Sequence, residues 1–403
     1  MKILQINCTY REGSTGKIVY LIHTGLIQEG IESSVCYGRG ERADSDPNVR
    51  KICSNLYAKL NNLRSRITGL MYGGCILSTH RLIRYIEEYS PDVVHLHCIN
   101  GYFVNIYLLI SWLNSHHIKT ILTLHAEFMY TGNCGHALDC DGWLYGCGHC
   151  PRLHTETLSW FVDGTAKSFK KMYQAFSGFQ DNLTVVSVSE WLMERAKKSP
   201  ILSKMDHRVI YNGVDTSVFT YIPKSEARAR LGLKNEKIVF HATAMFSDSP
   251  EHLKGGYYVI ELAKSMPNVI VLVAGKNIIK ANLPANVVLL GEINDQSLLA
   301  TYYNAADITV IASKKETFSM ICAESLCCGT PVVGFKAGGP EQISLEEYSE
   351  FVEHGNLKDL VKCVDVWLGK AFSRQEIAQH ASEKYSNIEM YKKYFGLYRE
   401  QIS

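Results

Sequence analysis

Two carboxylates, Glu316 and Glu324, stand with seven residues between them in Lys315-Glu316-Thr317-Phe318-Ser319-Met320-Ile321-Cys322-Ala323-Glu324, and Cys328-Gly329-Thr330-Pro331-Val332-Val333 follows. The apolar run Ile308–Ala312 ends just before the first, and a helix-compatible run, Ile321–Cys328, carries the second. A strand whose loop opens a helix turns backbone N–H groups toward the helix start, where an anion is favoured. Glu324, in the first turn or two, would then reach hydroxyls of a ligand whose phosphates meet those N–H groups. That arrangement suits a sugar nucleotide. Taken singly, Glu324 could equally complement a helix dipole and Glu316 be a solvated loop residue. The whole string is far more specific.

Other groups suited to such a ligand recur along the chain. Arg11-Glu12-Gly13-Ser14-Thr15-Gly16-Lys17 follows the first strand and opens a helix, so Gly13 and Gly16 let backbone approach a phosphate or sugar. The spacing is not that of a P-loop, and an ordinary tight turn reads as well. Lys254, in Ser249-Pro250-Glu251-His252-Leu253-Lys254-Gly255-Gly256, precedes a helix start and would add a point charge there. His95 and His97 end one strand on a common face, and His125 ends the next. For His95 and His97 a structural role is as good a reading as a functional one.

Cys134, Cys140, Cys147 and Cys150 form C-x5-C-x6-C-x2-C in a Gly- and His-rich loop, 132–151, and Cys147-Gly148-His149-Cys150 is a good bite for tetrahedral zinc. Four thiolates would close a structural site, with His136 and His149 as spare ligands. Free thiols or a redox pair are the alternatives. Few apolar residues are available to order the loop, which favours zinc.

These groups need a scaffold. Strand-like runs alternate with helix-like ones throughout, as in an α/β fold with parallel sheets. The first half offers strands at 2–7, 33–38, 93–97, 120–124 and 184–187, and the second at 237–241, 269–274, 287–290, 308–311 and 331–335. Helices are expected at 17–29, 189–198, 256–265, 295–305, 323–328 and 357–370. Two strand sets imply two Rossmann-like domains, 1–206 and 207–387, with a hinge within 200–212, and the last segment, 388–403, is rich in Tyr and Lys. Ligands of such sheets bind at the carboxyl ends of the strands.

With Glu316, Glu324 and the Cys-Gly-Thr-Pro-Val-Val segment in this setting, the chain resembles the retaining glycosyltransferases of the GT-B fold, family 4 type, from Gly13 to Glu341. The resemblance implies a central cleft faced by both sheets and a C-terminal helix, 388–403, packing back on the first domain. It implies that Glu316 faces the transferred sugar, Glu324 the nucleotide ribose, and the Phe318, Ser319 and Met320 amides the diphosphate. Lys254 would hold the leaving diphosphate, Ile293 with Gly291 the base, and Gly338-Gly339-Pro340-Glu341 the sugar or hinge. Asn212, in Asn212-Gly213-Val214-Asp215, would line the cleft near the hinge, and His125 would sit near the donor sugar.

Two positions depart from the family pattern. The aspartate expected after His125 is replaced by Ala126-Glu127, leaving open whether Glu127 substitutes, and no arginine stands upstream of Lys254 in 241–246. A similar cysteine-rich insertion occurs in exopolysaccharide enzymes of this family, including colanic-acid-type transferases. The implied activity is transfer of a hexosyl unit from a UDP- or GDP-sugar donor to a glycan or lipid-linked saccharide acceptor, with no catalytic metal required. A catalytically silent sugar-nucleotide-binding protein, a nucleotide-sugar epimerase or a phosphorylase are the alternatives.

Composition is compatible with this. The 403 residues are 46% hydrophobic and 20% charged, and a formal charge of +2 excludes a general nucleic-acid binder. No apolar run approaches the ~18 residues of a membrane span, and 1–7 reads as a buried strand and not a signal peptide, so a cytoplasmic protein is expected. The scattered cysteines among the 13, such as Cys36, Cys322 and Cys363, read as core. From Arg50 to Arg84 there is no acid, and Leu56, Leu60, Leu63, Ile67 and Leu70 recur at helical steps between basic residues. This segment, 50–84, is either a core-packed helix with a solvated basic face or a peripheral contact with an anionic membrane.

Overall fold

The computed structural model describes residues 1–41 and 46–402 and divides into two units, Met1–Tyr211 with the chain from Tyr391 on, and Asn212–Met390. The division falls between Tyr211 and Asn212, a few residues beyond 206/207 and inside the anticipated hinge stretch. The last helix, Asn387–Ile402, starts in the second unit and runs on into the first.

Among the described residues of the first unit, seven strands form one parallel sheet: β1 (Lys2–Asn7), β2 (Glu32–Tyr37), β3 (Val49–Lys51), β4 (Val93–Leu96), β5 (Thr120–Leu124), β6 (Leu183–Ser187) and β7 (Asp206–Val209), in the order β3-β2-β1-β4-β5-β6-β7. The near-continuous apolar runs of β1, β4 and β5 are fully buried, as strands covered by helices on both faces must be. In the second unit β8 (Lys237–Phe246), β9 (Val269–Asn277), β10 (Val287–Gly291), β11 (Ile308–Ile311), β12 (Val332–Phe335) and β13 (Ser349–Val352) are also parallel, in the order β10-β9-β8-β11-β12-β13. Each sheet reverses its strand order once, between β1 and β4 and between β8 and β11. In such sheets the loops at the carboxyl ends of those strands diverge and leave a crevice for a ligand.

The inner strands lie where the apolar runs place them. The strands absent from the sequence reading, β3, β7 and β13, are all sheet edges, short and partly polar. β8 extends to Phe246, five residues past its expected end, through a bulge between Ala242 and Met245. The 50–84 segment is two helices, Asn55–Thr68 and Ile76–Tyr89, so Leu70 falls outside the first.

Candidate functional site

In the second unit the loops at the reversal between β8 and β11 bring Lys254 and Glu316 together. Lys254 Nζ lies 2.6 Å from Glu316 Oε1, and both side chains stay partly exposed. Backbone fixes the approach: the Lys314 amide donates to the Leu253 carbonyl at 2.8 Å. Gly255 caps the helix Gly256–Ser265 with φ +68°, and a Cβ there would stand 1.9 Å from the Ala312 carbonyl oxygen. Only glycine lets the lysine loop approach the end of β11 this closely.

Glu316 is held through its main chain. Its amide donates to Ala337 O and its carbonyl accepts from Gly339 N, at 3.0 and 2.9 Å. Glu341 in turn accepts from the Ala337 and Gly338 amides. The Gly338–Glu341 turn is therefore a clamp on the Glu316 backbone, a role the sequence reading did not give it.

The helix after Glu316 spans Met320–Cys327, with Ser319 as its N-cap at φ +79° and its hydroxyl accepting from Cys322 N at 3.4 Å. Amides in a first helical turn lack intrahelical acceptors, so this end is electropositive. Phe318 and Ser319 are buried, and Met320 is partly exposed. Glu324 lies in the second turn, half-buried, and accepts from Tyr303 Oη at 3.1 Å.

Ile293 is half-exposed just past β10, after Gly291 at φ +74°. Asn212 is buried at the start of the unit, where the Val214 amide donates to Tyr385 O at 2.7 Å. One residue escaped the sequence reading: His241, an imidazole in the middle of β8. It is buried, and its Nδ1 bonds Val310 O at 2.9 Å, so Nε2 is the bare nitrogen and has no protein partner. Burial pushes its pKa down to about 4, with the Lys254 charge adding to the effect.

In the first unit Gly13 begins the helix Gly13–Gln28, and a Cβ on Gly16 would stand 3.0 Å from Thr9 Oγ1. His95, His97 and His125 cluster at the ends of β4 and β5. His95 bonds Tyr398 Oη at 2.6 Å and Thr123 Oγ1 at 2.8 Å, and His97 bonds Gln5 Oε1 at 3.3 Å and His125 Nε2 at 3.4 Å. His95 and His97 are thus satisfied core histidines. Burial lowers the pKa of all three, to about 4 for His125, which stays neutral at ordinary pH.

Glu127 resolves differently from the open question left by the sequence. It is fully buried and accepts from Arg195 Nε at 2.6 Å, Ala137 N at 2.6 Å and Tyr130 Oη at 2.8 Å. Arg195 also stacks on Trp143 and Trp191. A carboxylate so engaged is a structural tie, and it anchors the cysteine-rich loop.

That loop has more order of its own than its composition suggested. Trp143 is buried and donates to Cys140 O at 2.8 Å, and Arg152 donates to Ala137 O at 2.8 Å. Cys134, Cys140, Cys147 and Cys150 are free thiols lining one cavity of about 40 Å3. Burial raises Cys134 to about 12 and Cys147 to about 11. Among the described residues no three His, Cys, Asp or Glu side chains stand in metal-holding geometry.

The architecture is the GT-B fold, two parallel-sheet α/β units. It is shared with sucrose-phosphate synthase from Thermosynechococcus elongatus, with a TM-score of 0.69 and 17% identity over 99% of both chains. A structure of Anabaena HepE in complex with UDP-glucose has a TM-score of 0.65 at 15% identity over 98% of each chain. The chain belongs to Glycosyltransferase Family 4: residues 15–218 match that family, and residues 224–384 match the glycosyl transferases group 1. A full-length relative, 22% identical over 99% of this chain and 100% of its own, is the putative colanic acid biosynthesis glycosyl transferase WcaC of Escherichia coli (strain K12).

Proposed function

We propose that this protein moves a hexosyl unit from a UDP- or GDP-sugar to a glycan acceptor, a lipid-linked saccharide, in bacterial surface polysaccharide synthesis, with retention of anomeric configuration. The observation that carries this reading is the Lys254–Glu316 pair at 2.6 Å beside the electropositive start of the Met320–Cys327 helix. A diphosphate there would draw Lys254 away from Glu316 and accept hydrogen bonds from the 318–320 amides, so protein groups neutralise the leaving charge and no catalytic metal is needed. As the bond from the anomeric carbon to the leaving phosphate oxygen breaks, the acceptor hydroxyl adds on the same face. Its proton passes to the departing phosphate. Glu316 orients the sugar and stabilises developing positive charge, and Glu324 takes the ribose hydroxyls. The UDP-glucose complex of HepE and the likeness to WcaC support the donor class and the pathway type.

A thermal-shift screen across UDP- and GDP-sugars tests the reading. Stabilisation by one donor, followed by its consumption only with a saccharide acceptor, is expected. No stabilisation by any donor sinks it. Stabilisation without transfer would indicate a silent binder, and turnover without acceptor an epimerase.

We also propose that the four cysteines hold a structural zinc. Their spacing and their convergence on one cavity suit a tetrathiolate. Metal analysis of the purified full chain should give close to one zinc per molecule, lost on Cys147→Ser. A metal-free protein of unchanged thermal stability contradicts it.

A further inference from the structure

The helix Asn55–Thr68 is amphipathic in the wrong sense for a core helix. Its buried residues are Ala58, Asn61 and Ser65, while Leu56, Leu60, Leu63 and Ile67 face solvent, Leu56 at 68% exposure. The inner face is held by short polar contacts: Asn61 donates to Tyr57 O at 2.8 Å and accepts from Cys75 N at 2.8 Å. A helix normally gives its apolar stripe to the core. Here four large apolar side chains, at steps of four, three and four, form an outward stripe about 16 Å long at 1.5 Å per residue.

Neighbouring segments enlarge this stripe. The Trp160 amide donates to Arg66 O at 2.7 Å, setting Trp160-Phe161-Val162 beside the end of the helix with all three side chains exposed, Phe161 at 77%. Ile76 and Leu77 are exposed too, and the Leu77 amide reaches Tyr57 Oη. Isolated apolar residues on a surface need no explanation, but a continuous patch of this kind marks a binding face.

Charge decides what binds. Lys59 and Arg64 are exposed on the same helix, Arg66 lies over the Trp160 ring at 5.8 Å, and no acid occurs from residue 50 to 84. Asp163, which directly follows the 160–162 segment, is turned onto Cys150 N and Thr165 by hydrogen bonds. At its N-terminal end the helix borders a cavity of about 780 Å3 lined in part by Arg50, Lys51 and Arg81, with Asp46 as the opposing charge. A second copy of the chain would set Lys59 and Arg64 against their equals. An anionic bilayer meets both the apolar stripe and its cationic flanks.

We propose that the helix Asn55–Thr68, with the 160–162 segment, is a docking surface for an anionic lipid bilayer. Leu56, Leu60, Leu63, Ile67, Trp160 and Phe161 enter the headgroup boundary, and Lys59, Arg64 and Arg66 pair with lipid phosphates. The contact is peripheral, since no helix among the described residues is long and apolar enough to cross a membrane. This surface would bring the protein to a lipid-linked acceptor, yet it does not depend on the proposed transfer.

The test is sedimentation of the full chain with vesicles of phosphatidylcholine alone and of phosphatidylcholine mixed with phosphatidylglycerol. Binding to the mixed vesicles should be at least about tenfold tighter and should weaken with salt. Leu60→Ser with Leu63→Ser should lower it by about tenfold or more, and Lys59→Gln with Arg64→Gln should remove the preference for anionic lipid. Both double variants should keep the wild-type circular dichroism, thermal midpoint and nucleotide-sugar stabilisation, since the altered side chains are exposed. Failure to bind the mixed vesicles, equal binding to both, or undiminished binding by the leucine variant would overturn the proposal. So would a solution dimer that the leucine variant splits. In each case intact donor stabilisation leaves the transferase reading standing.

Discussion

Replacing Glu316 by glutamine is expected to lower the rate of sugar transfer by about 10²–10³-fold, the usual cost of removing one preorganised electrostatic contact at a reacting centre. The protein should remain folded. The Lys254–Glu316 pair is partly exposed, and such pairs contribute about 1 kcal/mol or less to stability. The Glu316 loop is fixed instead by its backbone, through Ala337, Gly339 and the Glu341 clamp, none of which the substitution touches. Lys254→Ala should give a loss of similar size with weaker binding of nucleoside diphosphate, because lysine meets the phosphates while Glu316 meets the sugar. Steady-state kinetics with the preferred donor, beside diphosphate binding by calorimetry, separates the two. Near wild-type turnover by either variant would remove this pair from the reaction.

Glu127→Ala is expected to destabilise the first unit by about 3–5 kcal/mol, the cost of leaving a buried ion pair half-made. The carboxylate is fully buried and holds Arg195, the Ala137 amide and the Tyr130 hydroxyl. Arg195, wedged against Trp143 and Trp191, cannot easily swing out to water, so its charge stays behind. Urea unfolding followed by tryptophan emission reports this, because of the five tryptophans only Trp367 lies in the second unit. The same experiment separates two roles for Glu127. A structural tie lowers stability with catalysis per folded molecule retained, whereas a stand-in for the missing aspartate would lose turnover at full stability.

What the sequence made legible was whatever repeats locally. β1, β5, β11 and the helix Gly256–Ser265 lie where their apolar patterns put them. The edge strands β3, β7 and β13 did not show, because an edge needs few apolar residues and these are short and polar. Lys254 and Glu316 could be named singly from the family resemblance, but their pairing spans 62 residues and depends on the glycine at 255 and the strand reversal beside it. The tie between Glu127 and Arg195 spans 68 residues and has no local signature. The Asn55–Thr68 helix taught the opposite lesson: its leucine spacing was plain, but periodicity does not say which face turns inward, and here the leucines turn out.

The central claim is sugar transfer with retained configuration, and NMR of the reaction product tests it most directly. The full chain, supplied with the donor that stabilises it and a lipid-linked saccharide, should yield a new glycosidic bond whose anomeric configuration matches that of the donor, with nucleoside diphosphate released in equal amount. An inverted linkage, or a donor left unconsumed beside that acceptor, would contradict the account.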